Sequence, residues 1–271
     1  MQVYHKVVVS GKITEVYSYQ NGVIVGLQSG GGNAMSSGDE KMTKEERAMR
    51  DQANLKRSLS RTVQTLRRTI NANIHEWGKE KPKFMTLTFK ENIRDHDIAN
   101  KEFQQFVRRL SRRLFKKQSG LKYTCVVERQ ARGAIHFHVL FYNLPYIPQN
   151  QLVKVWENGK EQRGLRINAI DNVDNVGAYV VKYIEKDIHA MMKDSETKTG
   201  KNAKEKGKKL YFQATGLYKP QEKAVSKEEL EAIESELIDN GANVYEAEHE
   251  NEYVGKMIYK QYKEQTHEKD D

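Results

Sequence analysis

Residues 121–142, LKYTCVVERQARGAIHFHVLFY, hold two apolar runs separated by a segment too short for anything but a reversal, so they read as strand, turn, strand. The second run has the composition of a buried strand but carries two imidazoles, His136 and His138. Side chains two apart on a strand share a face, so these histidines point one way while Ile135, Phe137 and Val139 point the other. A lone strand histidine is ordinarily half-buried with a hydrogen-bond partner, and a pair needs a third donor before it signifies a metal. If Ala131–Gly133 form a three-residue turn, with Gly133 supplying the left-handed position, Gln130 pairs with Ala134. That register sets Glu128 opposite His136 and Val126 opposite His138, with opposed Cβ atoms about 5 Å apart. Glu128, His136 and His138 then form a cluster of two histidines and one carboxylate on one side of a sheet. Such a set leaves coordination positions open and suits Mn²⁺, or Mg²⁺ where phosphate oxygens complete the shell.

Charge points to the partner of such a site. The chain of 271 residues carries a net charge of +9, but the distribution is uneven: residues 227–271 hold 5 Lys/Arg against 14 Asp/Glu, leaving 41 against 23 in residues 1–226. A strongly basic body with an acidic end suits a polyanion, most often nucleic acid, with a tail that limits non-specific binding. The same enrichment in Lys and Glu would also give the charge-rich surface of a heat-tolerant protein. The single cysteine, Cys125, excludes an internal disulfide and any multi-cysteine metal site. No apolar run reaches the roughly 18 residues of a membrane span. The opening MQVYHKVVVSGK lacks the apolar segment of a signal peptide, so the expectation is a cytoplasmic protein with no membrane partner.

Along the chain, residues 1–28 alternate apolar and polar positions and read as a hairpin turning at Asn21-Gly22, followed by a flexible linker over 29–40. A basic helical segment, one long helix or a pair, occupies 41–80, with Leu55, Leu59, Val63, Leu66 and Ile70 on one face. The core spans 81–222. It opens with a strand, FMTLTF, bearing Thr86 and Thr88 on one face, then a helix whose Phe103, Phe106, Val107, Leu110 and Leu114 pack on a sheet while Arg108, Arg109, Arg112 and Arg113 turn away. After the central hairpin come a short helix (LVKVWENG), a strand (LRINAI), a helix capped by Asp171 or Asp174, and a Lys-rich loop over 193–209. Residues 223–271 form an acidic extension with a helix and an alternating strand pair. The fold class expected is α+β, a central antiparallel sheet with helices packed on it.

The helix at VGAYVVKYIEK places Tyr179 and Tyr183 one turn apart on one face, with Lys182 and Lys186 beside them. Tyrosines at this spacing are usually packing residues, but Val176, Val180, Ile184 and Ile188 already supply an apolar face, leaving the tyrosines free to meet the histidines. A hydrophobic strand, then His-hydrophobic-His, then Tyr-x-x-Lys-Tyr-x-x-Lys resembles the three motifs of the HUH endonucleases, and within them the two-tyrosine rolling-circle replication initiators of plasmids and single-stranded DNA phages. The likeness covers about residues 54–220. It implies a histidine strand in mid-sheet, metal ligands at His136 and His138, nucleophiles at Tyr179 and Tyr183, and the motif lysine at Lys182. Glu128 as third ligand rests on the register.

The implied activity is metal-dependent nicking and rejoining of single-stranded or hairpin origin DNA through a 5'-phosphotyrosine, leaving a 3'-hydroxyl primer. With no phosphate-binding loop in the sequence, unwinding would fall to a host helicase, alongside the host replication machinery, and a homodimer is admitted. Thr86, Thr88, Arg108, Arg112, Arg132 and Lys186 are the candidates for DNA contacts. The alternatives are a two-tyrosine transposase with the same chemistry, disfavoured by the lack of a cysteine-rich segment, and a non-catalytic origin-binding protein.

Overall fold

The register expected for the central hairpin is the one observed. In the computed structural model, which describes residues 2–24, 43–78, 81–117, 119–130, 132–159, 164–170, 175–184, 209–251 and 255–265, Glu128 pairs with His136 and Val126 with His138. Gln130 N–H donates to Ala134 O (2.9 Å), and Gly133 takes φ +85°, the left-handed conformation the turn requires.

The chain divides into two units, residues 43–218 and residues 1–42 with 219–271. In the first, helix α1 (Lys44–Asn71) precedes strand β3 (Lys83–Leu87), helix α2 (His96–Phe115), strands β4 (Tyr123–Arg129) and β5 (Ile135–Phe141), helix α3 (Gln149–Glu157), strand β6 (Leu165–Ala169), helix α4 with described residues 176–184, and strand β7 (Tyr211–Gln213). Strands β1 (Gln2–Ser10), β2 (Ile13–Ile24), β8 (Gln221–Val225), β9 (Asn243–Asn251) and β10 (Gly255–Lys263), with helix α5 (Lys227–Asp239), make up the other.

The larger unit is a five-stranded antiparallel sheet, order β6-β3-β5-β4-β7, so the histidine strand lies in the middle. Both faces of β5 are buried because helices cover both. On one face Ile135, Phe137, Val139 and Phe141 meet Phe103, Phe106 and Leu110 of α2 and Leu152 and Trp156 of α3. On the other, Phe84, Val126 and Leu140 meet Leu59, Leu66 and Ile70 of α1 and Val176, Val180 and Ile184 of α4. The expected apolar stripes of all three long helices are thus the buried ones; Ile188 lies outside the described residues.

Local sequence fixes where these helices begin. Thr43 Oγ1 accepts Glu46 N–H (3.2 Å) and Glu46 Oε2 accepts Thr43 N–H (2.8 Å), closing a capping box on α1. Asp95 caps α2. The cap of α4 is Asn175, whose Oδ1 accepts Ala178 N–H (2.9 Å), in place of the expected Asp171 or Asp174, which lie outside the described residues. The basic segment is a single helix, and Arg68, expected on its solvent side, is buried at its C-terminal turn.

In the other unit the sheet order is β8-β1-β2-β10-β9, so strands from both ends of the chain pair with one another. The hairpin at the start of the chain exists, but it turns at Gly11-Lys12, with Ser10 paired to Ile13, and not at Asn21-Gly22. Gly11 at φ +61° opens a two-residue loop that suits the twist of the strands. Asn21-Gly22 instead lies inside β2, where the register against β1 shifts and Gly22 takes φ +68°. Helix α5 buries Leu230 and Leu237 against Val7, Val16 and Tyr262. The expected linker over 29–40 lies outside the described residues, and among those described no helix is long and apolar enough to cross a membrane.

One close approach sets α4 against α1. Asn71 Oδ1 accepts Gly177 N–H (3.0 Å), and a Cβ at Gly177 would stand 2.5 Å from Arg67 O and 2.6 Å from Asn71 Oδ1. Only glycine fits there. Gly177→Ala is therefore expected to destabilise the protein by about 1–3 kcal/mol, read from the midpoint of urea unfolding.

Candidate active site

The histidine face of the sheet is polar at one end and apolar at the other. His138 is held at three sides: Nε2 lies 2.7 Å from Glu128 Oε2, Nδ1 lies 3.2 Å from Thr86 Oγ1, and the ring of Tyr183 stacks on the imidazole with centroids 3.9 Å apart. An Nε2–H donating to the carboxylate leaves Nδ1 to accept from the Thr86 hydroxyl, so neutral His138 is satisfied at both nitrogens. His136 is not. Its Nδ1 is 3.2 Å from Gln130 Nε2, while its buried Nε2 has no hydrogen-bond partner. Burial lowers the His136 pKa, opposed by the charge of Glu128 and reinforced by His138 and Arg132, which favours the neutral ring that a metal requires.

Helix α4 brings both tyrosines over this face. Their hydroxyls lie 3.2 Å apart, and the Phe84 ring contacts both of theirs at 5.5 Å as well as that of His138 at 5.8 Å. Burial raises the Tyr183 pKa, and the hydrogen bond with Tyr179 and the charges of Tyr179 and Glu128 push it the same way. Lys182 is exposed, with Nζ 5.6 Å from the Tyr179 ring. A cleft of about 640 Å³ opens here, lined by Phe84, Thr86, Thr88, His136, Arg166, Asn168, Tyr179 and Tyr183 among others.

The donors suit a divalent cation in kind: two imidazoles and a carboxylate on one face, one imidazole nitrogen being a buried orphan. Glu128 closes on His138, and among the described residues no three such side chains already converge on one point.

The structure therefore brings Glu128, His136, His138, Thr86, Tyr179 and Tyr183 together, with Lys182 at the margin. Thr88 reaches the cleft, but its backbone is also structural, accepting Trp156 Nε1–H (3.0 Å) and donating to Gly164 O (2.9 Å). Arg132 stands exposed at the β4–β5 turn. Arg108 and Arg112 are not brought to the site, because α2 covers the opposite face of the sheet; Lys186 lies outside the described residues. Two residues that sequence reading passed over, Arg166 and Asn168 on β6, line the cleft. The alternation in LRINAI would have found them once β6 was paired with β3, where Arg166 stands opposite Thr86.

The site is thus an antiparallel sheet whose central histidine strand is overlaid by a two-tyrosine helix. Residues 82–188 match a family model of replication-associated proteins, that of ORF2 and the gene 2 protein, over a stretch that begins just before β3 and includes the histidine strand and both tyrosines. The match supports a role in replication, within rolling-circle initiator families. No curated protein and no solved structure matches the chain.

Thr86→Val removes the hydroxyl beside His138 at nearly constant volume. The expected cost is about 1 kcal/mol in urea unfolding, with a changed His138 tautomer balance visible in long-range proton–nitrogen spectra.

Proposed function

We propose that this chain is a rolling-circle replication initiator that nicks and rejoins DNA through tyrosine. The observation that carries the reading is the pair of tyrosine hydroxyls 3.2 Å apart over the histidine face, one of the two rings stacked on His138. Packing alone would not need both phenols turned toward the polar half of a sheet.

His136, His138 and Glu128 would hold a divalent cation, Mn²⁺ or Mg²⁺, which supplies charge withdrawal from the non-bridging phosphate oxygens when bound. The phenol oxygen of one tyrosine attacks phosphorus in line and loses its proton, forming a 5'-phosphotyrosine. The 3'-oxygen leaves and takes up a proton, giving a hydroxyl that primes synthesis. While one tyrosine is ionised, the hydroxyl of the other is placed to donate to it, and the Lys182 ammonium beside Tyr179 favours negative charge there. The phosphotyrosine link conserves the phosphodiester, so the second tyrosine can cut the regenerated origin and a 3'-hydroxyl can reseal the displaced strand. Two adjacent nucleophiles suit two successive transfers. Exposed Arg166 and Asn168, beside Thr86 and Phe84 across the sheet, face the same cleft and would contact the substrate strand. Single-stranded or hairpin origin DNA is the substrate, a host helicase the partner that unwinds it, and the cytoplasm the setting. The match to a replication-associated family favours this role over transposition.

Labelled single-stranded origin oligonucleotides, incubated with Mn²⁺, test the reading. A protein–DNA adduct that survives denaturation is expected from the wild type, at reduced yield from Tyr179→Phe and Tyr183→Phe, and is expected to vanish in the double variant and in His138→Ala. DNA binding without an adduct under any divalent metal would leave an origin-binding protein with no chemistry.

A further inference from the structure

A second groove lies outside the tyrosine cleft, along the outer edge of β7. Strand β7 is the edge of its sheet and, among the described residues, pairs only with β4. Two contiguous hollows run beside it, sharing Thr62 and Tyr211; the larger has a volume of about 680 Å³. Arg57 and Arg61 of α1 line one wall, and Arg108 of α2 and Lys209 line the other, all four exposed. None of the described residues lining either hollow is acidic.

The helix wall is built at helical spacing. Asn54, Arg57, Ser58, Arg61, Thr62 and Thr65 form one polar stripe, about 16 Å long at 1.5 Å per residue, flanking the apolar stripe that packs on the sheet. Between positions 52 and 71 this helix carries five Lys/Arg and no acid. Arg57 and Arg61 are four apart, a like-charge pair that disfavours the helix with no carboxylate on the helix near it to compensate. A pair of this kind persists at a net cost unless an anion from elsewhere settles between the walls. The groove also connects to the chemistry: Tyr211 pairs with Val126, which pairs with His138, so its mouth lies two strand spacings, about 10 Å, from the histidine row.

We propose that this groove holds the sugar-phosphate backbone of the single-stranded DNA arm leading away from the tyrosines, with Arg57, Arg61, Arg108 and Lys209 as its phosphate contacts and Tyr211 as a base-stacking surface at its mouth. The proposal rests on the nickase reading for the identity of the strand. It deepens that reading by assigning a path that the His and Tyr motifs do not touch. A peptide strand added to β7 is the competing occupant, but three residues of edge offer few ladder bonds, and the cationic walls select against any but an acidic one.

The test measures binding of a fluorescent single-stranded oligonucleotide across a KCl series, in the Tyr179→Phe/Tyr183→Phe background so that no covalent step intervenes. Adding Arg57→Gln and Arg61→Gln is expected to make the slope of log K against log salt shallower by about 1.4 and to weaken binding roughly ten-fold near 0.15 M. Lys116→Gln with Lys154→Gln, the same charge change on exposed positions of the α2 C-cap and α3, is expected to leave the slope unchanged. Equal losses in both pairs, no loss in the arginine pair, or tighter binding of duplex than of single strand would each overturn the groove. Adduct formation by the otherwise wild-type chain is scored separately. An adduct with an unaltered slope removes the groove and keeps the nickase, whereas an altered slope with no adduct from the wild type removes the nickase and keeps a single-strand binding groove.

Discussion

The larger unit depends on a conflict inside one strand. β5 is covered by helices on both faces, yet one face carries two imidazoles, and buried polar groups are costly unless paired. The conflict is resolved for His138 by Thr86 from β3 and Glu128 from β4, one partner from each neighbouring strand. It is left open for His136, whose Nε2 is the orphan. A fold that satisfies one histidine from both sides and leaves its neighbour's nitrogen bare concentrates reactivity at a defined point on an otherwise rigid sheet.

Rigidity around that point comes from aromatic packing and from a helix pair that approaches unusually closely. Phe84 touches His138 and both tyrosines, so the histidine row and the tyrosine helix share one apolar contact. The N-terminal end of α4 is fixed by Gly177 lying on the last turns of α1 and by the Asn71 hydrogen bond. The hydroxyls are thus placed by backbone contacts as well as by their own side-chain packing. On the far face, Arg109 and Arg113 of α2 bond Val155 O and Gln151 Oε1 of α3, so half of the arginines in that helix serve its packing.

Much of this was legible in order along the chain. The register of the central hairpin followed from turn length and Gly133, because a side-chain period of two allows only one set of partners once a single pair is fixed. The helical stripes were legible because burial follows the 3.6-residue period. The first hairpin was misplaced because Asn-Gly is a strong turn signal, while β2 absorbs it as an irregularity within a long strand. Gly11-Lys12, a weaker signal, makes the turn, and the pairing of β2 with β10 holds the strand in register on its other edge.

Composition and spacing by themselves determined that the chain is α+β, that His136, His138 and Glu128 share a face, and that Tyr179 and Tyr183 share another, since all these follow from interactions between residues close in sequence. What only the tertiary structure decided is which face meets which. The sequence could not place Arg166 and Asn168 beside Thr86, put α2 and its arginines on the opposite side from the histidines, or fold the two ends of the chain into one sheet. Each of these depends on contacts between segments far apart along the chain, whose pairing is selected by the packing of whole surfaces and leaves no local signature.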